Sequence, residues 1–147
     1  MTHYLDLGFL LCLVTKTSGS SVAWDTVRSL PQPLLITTFQ ALQAENGLRK
    51  RMLGSDAKLQ AVAAQAWGLW QFYLREMVFV LAPAPWDAAL ALARSWNERT
   101  PKEPPASSFL LHPAIAASCG CTHFLSFQPE CRALAAAAGL RLLPARL

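Results

Sequence analysis

Tyr4-Leu5-Asp6-Leu7-Gly8-Phe9-Leu10-Leu11 is the stretch on which the reading of the fold turns. His3-Tyr4-Leu5 reads as a short strand ending at Asp6. The apolar run from Leu7 to Val14 is then either a buried helix or a continuation of the strand, because periodicity does not separate the two over so short a segment. A strand that delivers an acid at its carboxyl end is how open α/β sheets build ligand sites. Which reading holds depends on whether strands and helices alternate through the rest of the chain.

They do. Leu34-Leu35-Ile36, Met77 to Leu81, His123 to Phe127 and Leu140 to Leu143 are short apolar runs of strand character. Helix-period segments lie between them. Ser20 or Ser21 can cap one that runs to about Leu30 and stops at Pro31 and Pro33, and Thr37 or Thr38 caps another to about Met52, ending at Gly54. Ser55 opens the longest, in which Leu59, Val62, Ala63, Ala66, Trp67, Trp70, Tyr73 and Leu74 form one apolar stripe. Trp86, Ala89, Leu90, Ala93 and Trp96 repeat at helical spacing. Further helices are expected around Ala114 to Ser118 and from Pro129 to Ala138, and Arg99 to Ser108, with three prolines, reads as a loop. Strands joined by crossover helices imply a central parallel sheet of four or five strands covered on both faces, a three-layer α/β/α architecture. At 147 residues, a single domain over 1–147 is expected.

Composition removes several classes. Apolar residues make up 53% of the chain and charged residues 15%, which excludes a disordered chain. The seven Gly and ten Pro follow no period, so collagen-like and low-complexity architectures are excluded too. The run Leu7 to Val14 is far short of the roughly 20 residues a membrane span needs. As a secretory leader it lacks the basic segment that should precede it and carries Asp6 instead. Cys12, Cys119, Cys121 and Cys131 show no framework spacing, and with His123 they match no strong zinc signature. Reduced thiols in a cytoplasmic protein are expected. The net charge of +4 suits a polyanionic partner.

The strand-end positions carry a family resemblance. Tyr4 through Leu11 is similar to the opening of a PIN domain, the fold of VapC-type toxin ribonucleases, in which a strand delivers the first metal-binding Asp. Ile36-Thr37 through Asn46-Gly47-Leu48 resembles the second family segment, a Thr-capped helix carrying a Glu. Leu111-His112 through Ala117, then Gly120 and Thr122 to Phe127, resemble the third helix and fourth strand, and Ala133-Leu134-Ala135 with Gly139-Leu140 resembles the close. The resemblance implies a cluster of three or four carboxylates holding Mg²⁺ or Mn²⁺, an RNA substrate, an antitoxin partner and a homodimer. Such a cluster is what a divalent cation sharing a site with a phosphodiester requires.

Carried over residue by residue, most of that cluster is missing. Asp6 stands at the first acid, Gln43 at the family's Glu, Phe109 at the third acid and Gln128 at the fourth. Glu45 is the nearest acid to Gln43 but lies about 200° around the helix from it. Gly8 lacks the hydroxyl or amide expected after Asp6, and Pro113 implies that its helix begins near that residue. The neutral amides cannot balance a metal, so no cofactor, or only weakly bound Mg²⁺/Mn²⁺, is expected.

Each candidate has two readings. Asp6 is a residual ligand or a cap for the following helix. Glu45 is a substitute ligand or a solvated partner of Arg49 at i+4. His112 fills a family position that is more often structural. Arg49, Lys50 and Arg51, with Lys58, contact RNA phosphates or compensate a helix dipole. Trp67, Trp70 and Tyr73 pack a core or dimer face, or stack bases. Three functions follow: a PIN-like protein with an incomplete site that keeps RNA or partner binding, an active endoribonuclease toxin using Asp6, Glu45 and another acid such as Glu130, or a structural module for dimerisation or antitoxin binding.

Overall fold

The structure is a computed structural model that describes residues 2–99 and 105–145. In chain order its elements are β1 (His3–Leu5), α1 (Leu7–Val14), α2 (Ser20–Arg28), β2 (Leu34–Thr37), α3 (Thr38–Met52), α4 (Ala57–Arg75), β3 (Phe79–Ala82), α5 (Trp86–Arg99), α6 (Ser107–Ser118), β4 (His123–Leu125), α7 (Pro129–Ala137) and β5 (Arg141–Leu143). Strands and helices alternate as the sequence predicts. The run after Asp6 resolves as helix. The chain forms two compact units, one made of residues up to Asp6 together with Ala84 onward, the other of Leu7–Pro83.

In the first unit the strands lie in the order β1-β4-β5, with every pairing parallel. His3, Tyr4 and Leu5 stand beside His123, Phe124 and Leu125, which in turn stand beside Arg141, Leu142 and Leu143. Tyr4, Leu5, Phe124 and Leu125 are fully buried, the near-continuous apolar reading of a covered parallel sheet. The Tyr4 and Phe124 rings stack at 5.9 Å, and the Tyr4 hydroxyl meets His112 Nδ1 at 3.0 Å. In the second unit β2 and β3 pair in parallel, Leu34 beside Phe79 through Thr37 beside Ala82. Among the described residues the five strands form a sheet of three and a sheet of two, with every pairing parallel.

Three helices hand over to the next strand by one device. At the end of α6, Gly120 N–H donates to Ala117 O and Cys121 N–H to Ala116 O; at the end of α7, Gly139 N–H donates to Ala136 O and Leu140 N–H to Ala135 O. These are Schellman closures, which need a left-handed residue, and Gly120 (φ 65°) and Gly139 (φ 83°) supply it without a Cβ penalty. At the end of α4 the same pair of bonds forms, Met77 N–H to Leu74 O and Val78 N–H to Tyr73 O, but the left-handed residue is Met77, at φ 58°.

Several boundaries differ from expectation. Ser20 lies inside α2, not at its cap: Gly19 is the N-cap, and the Ser20 hydroxyl donates to Thr15 O instead. Asp56 rather than Ser55 caps α4, its carboxylate accepting from the N–H groups of Lys58 and Leu59. Because Met77 still belongs to the helix exit, β3 starts at Phe79. The Arg99 to Ser108 loop is shorter at both ends, and its residues 100–104 lie outside the described residues. In α4 the buried stripe narrows to Ala63, Ala66 and Trp70, leaving Leu59 and Val62 exposed.

Pro113 corrects the reading of α6 most sharply. The helix begins at Ser107 and runs straight through the proline. Proline has no N–H for the carbonyl four residues back, which is Phe109 O. That oxygen takes a contact from the Cys131 thiol instead, at 3.8 Å. Position 109 therefore stays in the first turn of an intact helix.

Candidate functional site

Asp6 follows β1 directly, and the pairing of β1 with β4 fixes its surroundings. Its N–H donates to Leu125 O at 2.9 Å, carrying the ladder one residue beyond the strand. The residue is 2% exposed. Ser126, the residue after β4 and itself fully buried, donates its hydroxyl to Asp6 Oδ2. Ser126 Oγ in turn accepts the N–H of Gln128 at 2.9 Å. A carboxylate taken out of water needs hydrogen-bond donors or an opposite charge, and here a neutral hydroxyl is brought to it.

The neighbouring positions are neutral as well. Gln128 is exposed at the N-cap of α7, and Phe109 is half-buried in the first turn of α6. Cys131, in α7, is buried, and burial above all, then the charges of Asp6 and Glu130, pushes its thiol up to about 12. It stays protonated and serves as the weak donor to Phe109 O. Glu130 is exposed. Arg132 binds the strand ends together, donating to Ser126 O at 2.9 Å, Leu143 O at 3.3 Å and Pro144 O at 3.0 Å. His112 is buried, and desolvation lowers its pKa to about 4, so the imidazole is neutral at pH 7.

Gln43 and Glu45 belong to the second unit, on α3. Thr37 caps this helix with a capping box: Gln40 N–H donates to Thr37 Oγ1, and Thr37 N–H and Oγ1–H both donate to Gln40 Oε1, with both side chains fully buried. Gln43 Oε1 is buried without a hydrogen-bond partner among the described residues. Glu45 departs from the ion pair expected with Arg49: Glu45 Oε1 accepts the indole N–H of Trp70, on α4, at 3.2 Å. Trp70 is fully buried against Phe79, with ring centroids 5.5 Å apart. The indole needs an acceptor when it leaves water, and Glu45 is the one within reach. Arg49, Lys50 and Arg51 fill the last turn of α3, exposed, with no ion pair among the described residues.

The sequence reading puts Asp6 at a strand end, as the structure does, and Gln128 beyond the fourth strand. Nothing in it singled out Ser126 as the residue that meets Asp6. Among the described residues, no three His, Cys, Asp or Glu side chains gather where they could hold a metal ion. No helix among them is long and apolar enough to cross a membrane.

No protein-family model matches the chain, and no curated protein matches its sequence. A solved structure does match: VapC20 of Mycobacterium tuberculosis, described as a toxin that cleaves the sarcin-ricin loop, aligns over 90% of this chain and 94% of its own, with a TM-score of 0.62 at 14% identity. The chain thus has the PIN-like α/β fold of that VapC toxin, reached by a sequence that shares few of its residues.

Proposed function

We propose that this chain is a PIN-fold protein of the VapC-toxin kind whose acidic metal site is incomplete, and that it binds RNA or a protein partner without efficient cleavage. The observation that carries the reading is the donor set at the ends of β1 and β4: one carboxylate, Asp6, already engaged by a neutral hydroxyl, with phenylalanine at 109 and an amide at 128. Mg²⁺ and Mn²⁺ want several hard, mostly anionic oxygens. These residues do not fit that demand. Arg49, Lys50 and Arg51, exposed and without an ion pair among the described residues, support the RNA side of the proposal, as does the likeness to a sarcin-ricin loop cleaving toxin. An antitoxin-like protein and a second copy of the chain are the protein partners this reading allows.

The test is RNA binding and cleavage with and without EDTA. The proposal expects RNA to be retained in EDTA, weakened by added salt, and left uncut when Mn²⁺ is supplied. Metal-dependent cleavage that disappears in Asp6→Asn would restore the active endoribonuclease and overturn it.

A further inference from the structure

The outer face of α3 carries a feature that the incomplete acidic site does not explain. Leu42, Glu45, Asn46, Arg49, Lys50 and Leu53, together with Trp67 of α4, line a groove of about 370 Å³. The five α3 residues and the C-cap Leu53 recur at three- and four-residue spacing, one stripe of the helix, and Trp67 faces them. Volumes of this order accept a small planar ligand. Leu42 (64% exposed) and Leu53 (80%) leave the groove open to solvent.

Its electrostatics follow from one hydrogen bond. Glu45 would ordinarily pair with Arg49, one turn along. Glu45 Oε1 is turned to the Trp70 indole and forms no ion pair with Arg49 or Lys50 among the described residues; Glu45 keeps its charge, so the groove is lined by two cations and one carboxylate. A half-buried tryptophan ring, an amide and two unpaired cations around one small groove form a recognisable set. The ring stacks a planar group, Asn46 and the free oxygen of Glu45 meet polar edges, and the cations take phosphates. Arg51, about 200° around the helix from Arg49, lies off this stripe.

We infer that this groove is a binding site for single-stranded RNA, seating one unstacked base against Trp67 with its flanking phosphates on Arg49 and Lys50. The inference rests on the RNA-binding reading above and adds the place and the mode.

Fluorescence anisotropy with a short labelled single-stranded oligoribonucleotide, in EDTA, tests it. Trp67→Ala should weaken binding about tenfold with the salt dependence unchanged, and Trp67→Phe should restore most of it. Arg49→Ala with Lys50→Ala should weaken binding and flatten the salt dependence, whereas Arg51→Ala should do less. An oligomer carrying abasic sites should bind the unaltered protein as weakly as the intact one binds Trp67→Ala, a comparison that does not depend on how well any variant folds. If Trp67→Ala and the abasic oligomer bind normally while the Arg49/Lys50 variant fails, the base pocket is wrong and the RNA-binding reading survives. No RNA binding by the unaltered chain overturns both. Binding of an acidic peptide that needs Trp67, with RNA binding indifferent to Trp67→Ala, would give the groove to a protein instead.

Discussion

The two units place their titratable groups differently. The unit containing Asp6 buries titratable groups among neutral ones: Asp6 receives the Ser126 hydroxyl, Cys131 keeps its proton, and His112 stays uncharged beside Tyr4. The unit containing α3 buries its neutral groups, Thr37 and Gln40, in a closed capping box and leaves three successive cations in solvent. The difference teaches what the chain is suited to hold. A corner with one engaged acid is a poor seat for a divalent cation, while a helix face with unpaired arginine and lysine is a good seat for phosphate.

Acid should break the contrast most. The folded-state pKa of His112 is lowered from 6.5 to about 4. The unfolded chain therefore takes up the proton first as pH falls. The neutral imidazole's contribution is complete above about pH 6.5 and is lost progressively toward pH 4, on the order of 2–3 kcal/mol. Urea melts across that range should show the loss, and His112→Asn should flatten it. Next comes Ser126→Ala, which strips a donor from a buried carboxylate and should lower stability by about 1–2 kcal/mol. The decrease is readable in the same melts.

In the other unit, Trp70→Phe removes the indole that holds Glu45. The freed carboxylate can then pair with Arg49, and RNA affinity should fall several-fold with a flatter salt dependence. Unchanged RNA binding by a folded Trp70→Phe protein would show that the indole bond is not what leaves Arg49 unpaired. The smallest effect concerns how the units turn from helix to strand. Glycine serves at 120 and 139, but Met77 holds the left-handed conformation itself, at φ 58°. Met77→Gly should gain up to about 1 kcal/mol in thermal melts, its relief of strain partly offset by the greater freedom of the unfolded chain.

What could be read from the chain follows from how local each cause is. The strands at Leu34–Thr37 and His123–Leu125 announce themselves as short apolar runs, and Gly139 announces the turn into β5, because each depends on neighbours in sequence. The Thr37 cap was legible for the same reason. Met77 was not, since its residue type argues against the conformation that the flanking α4 and β3 impose. Pro113 misled because its missing N–H is met by a thiol 22 residues from Phe109. The site split along the same line. Asp6 could be placed from its strand, but its meeting with Ser126 spans 120 residues, and the Glu45–Trp70 bond spans 25. Contacts of that range leave no spacing signal.

Thermal unfolding of the unaltered protein with increasing Mn²⁺ tests the central claim most directly. A folded-state site would raise the melting temperature as metal is added, since a ligand at about a hundred times its dissociation constant stabilises by about 2.7 kcal/mol. The melting temperature should be the same with Mn²⁺ as with EDTA. A rise that grows with Mn²⁺ and vanishes in Asp6→Asn would contradict it.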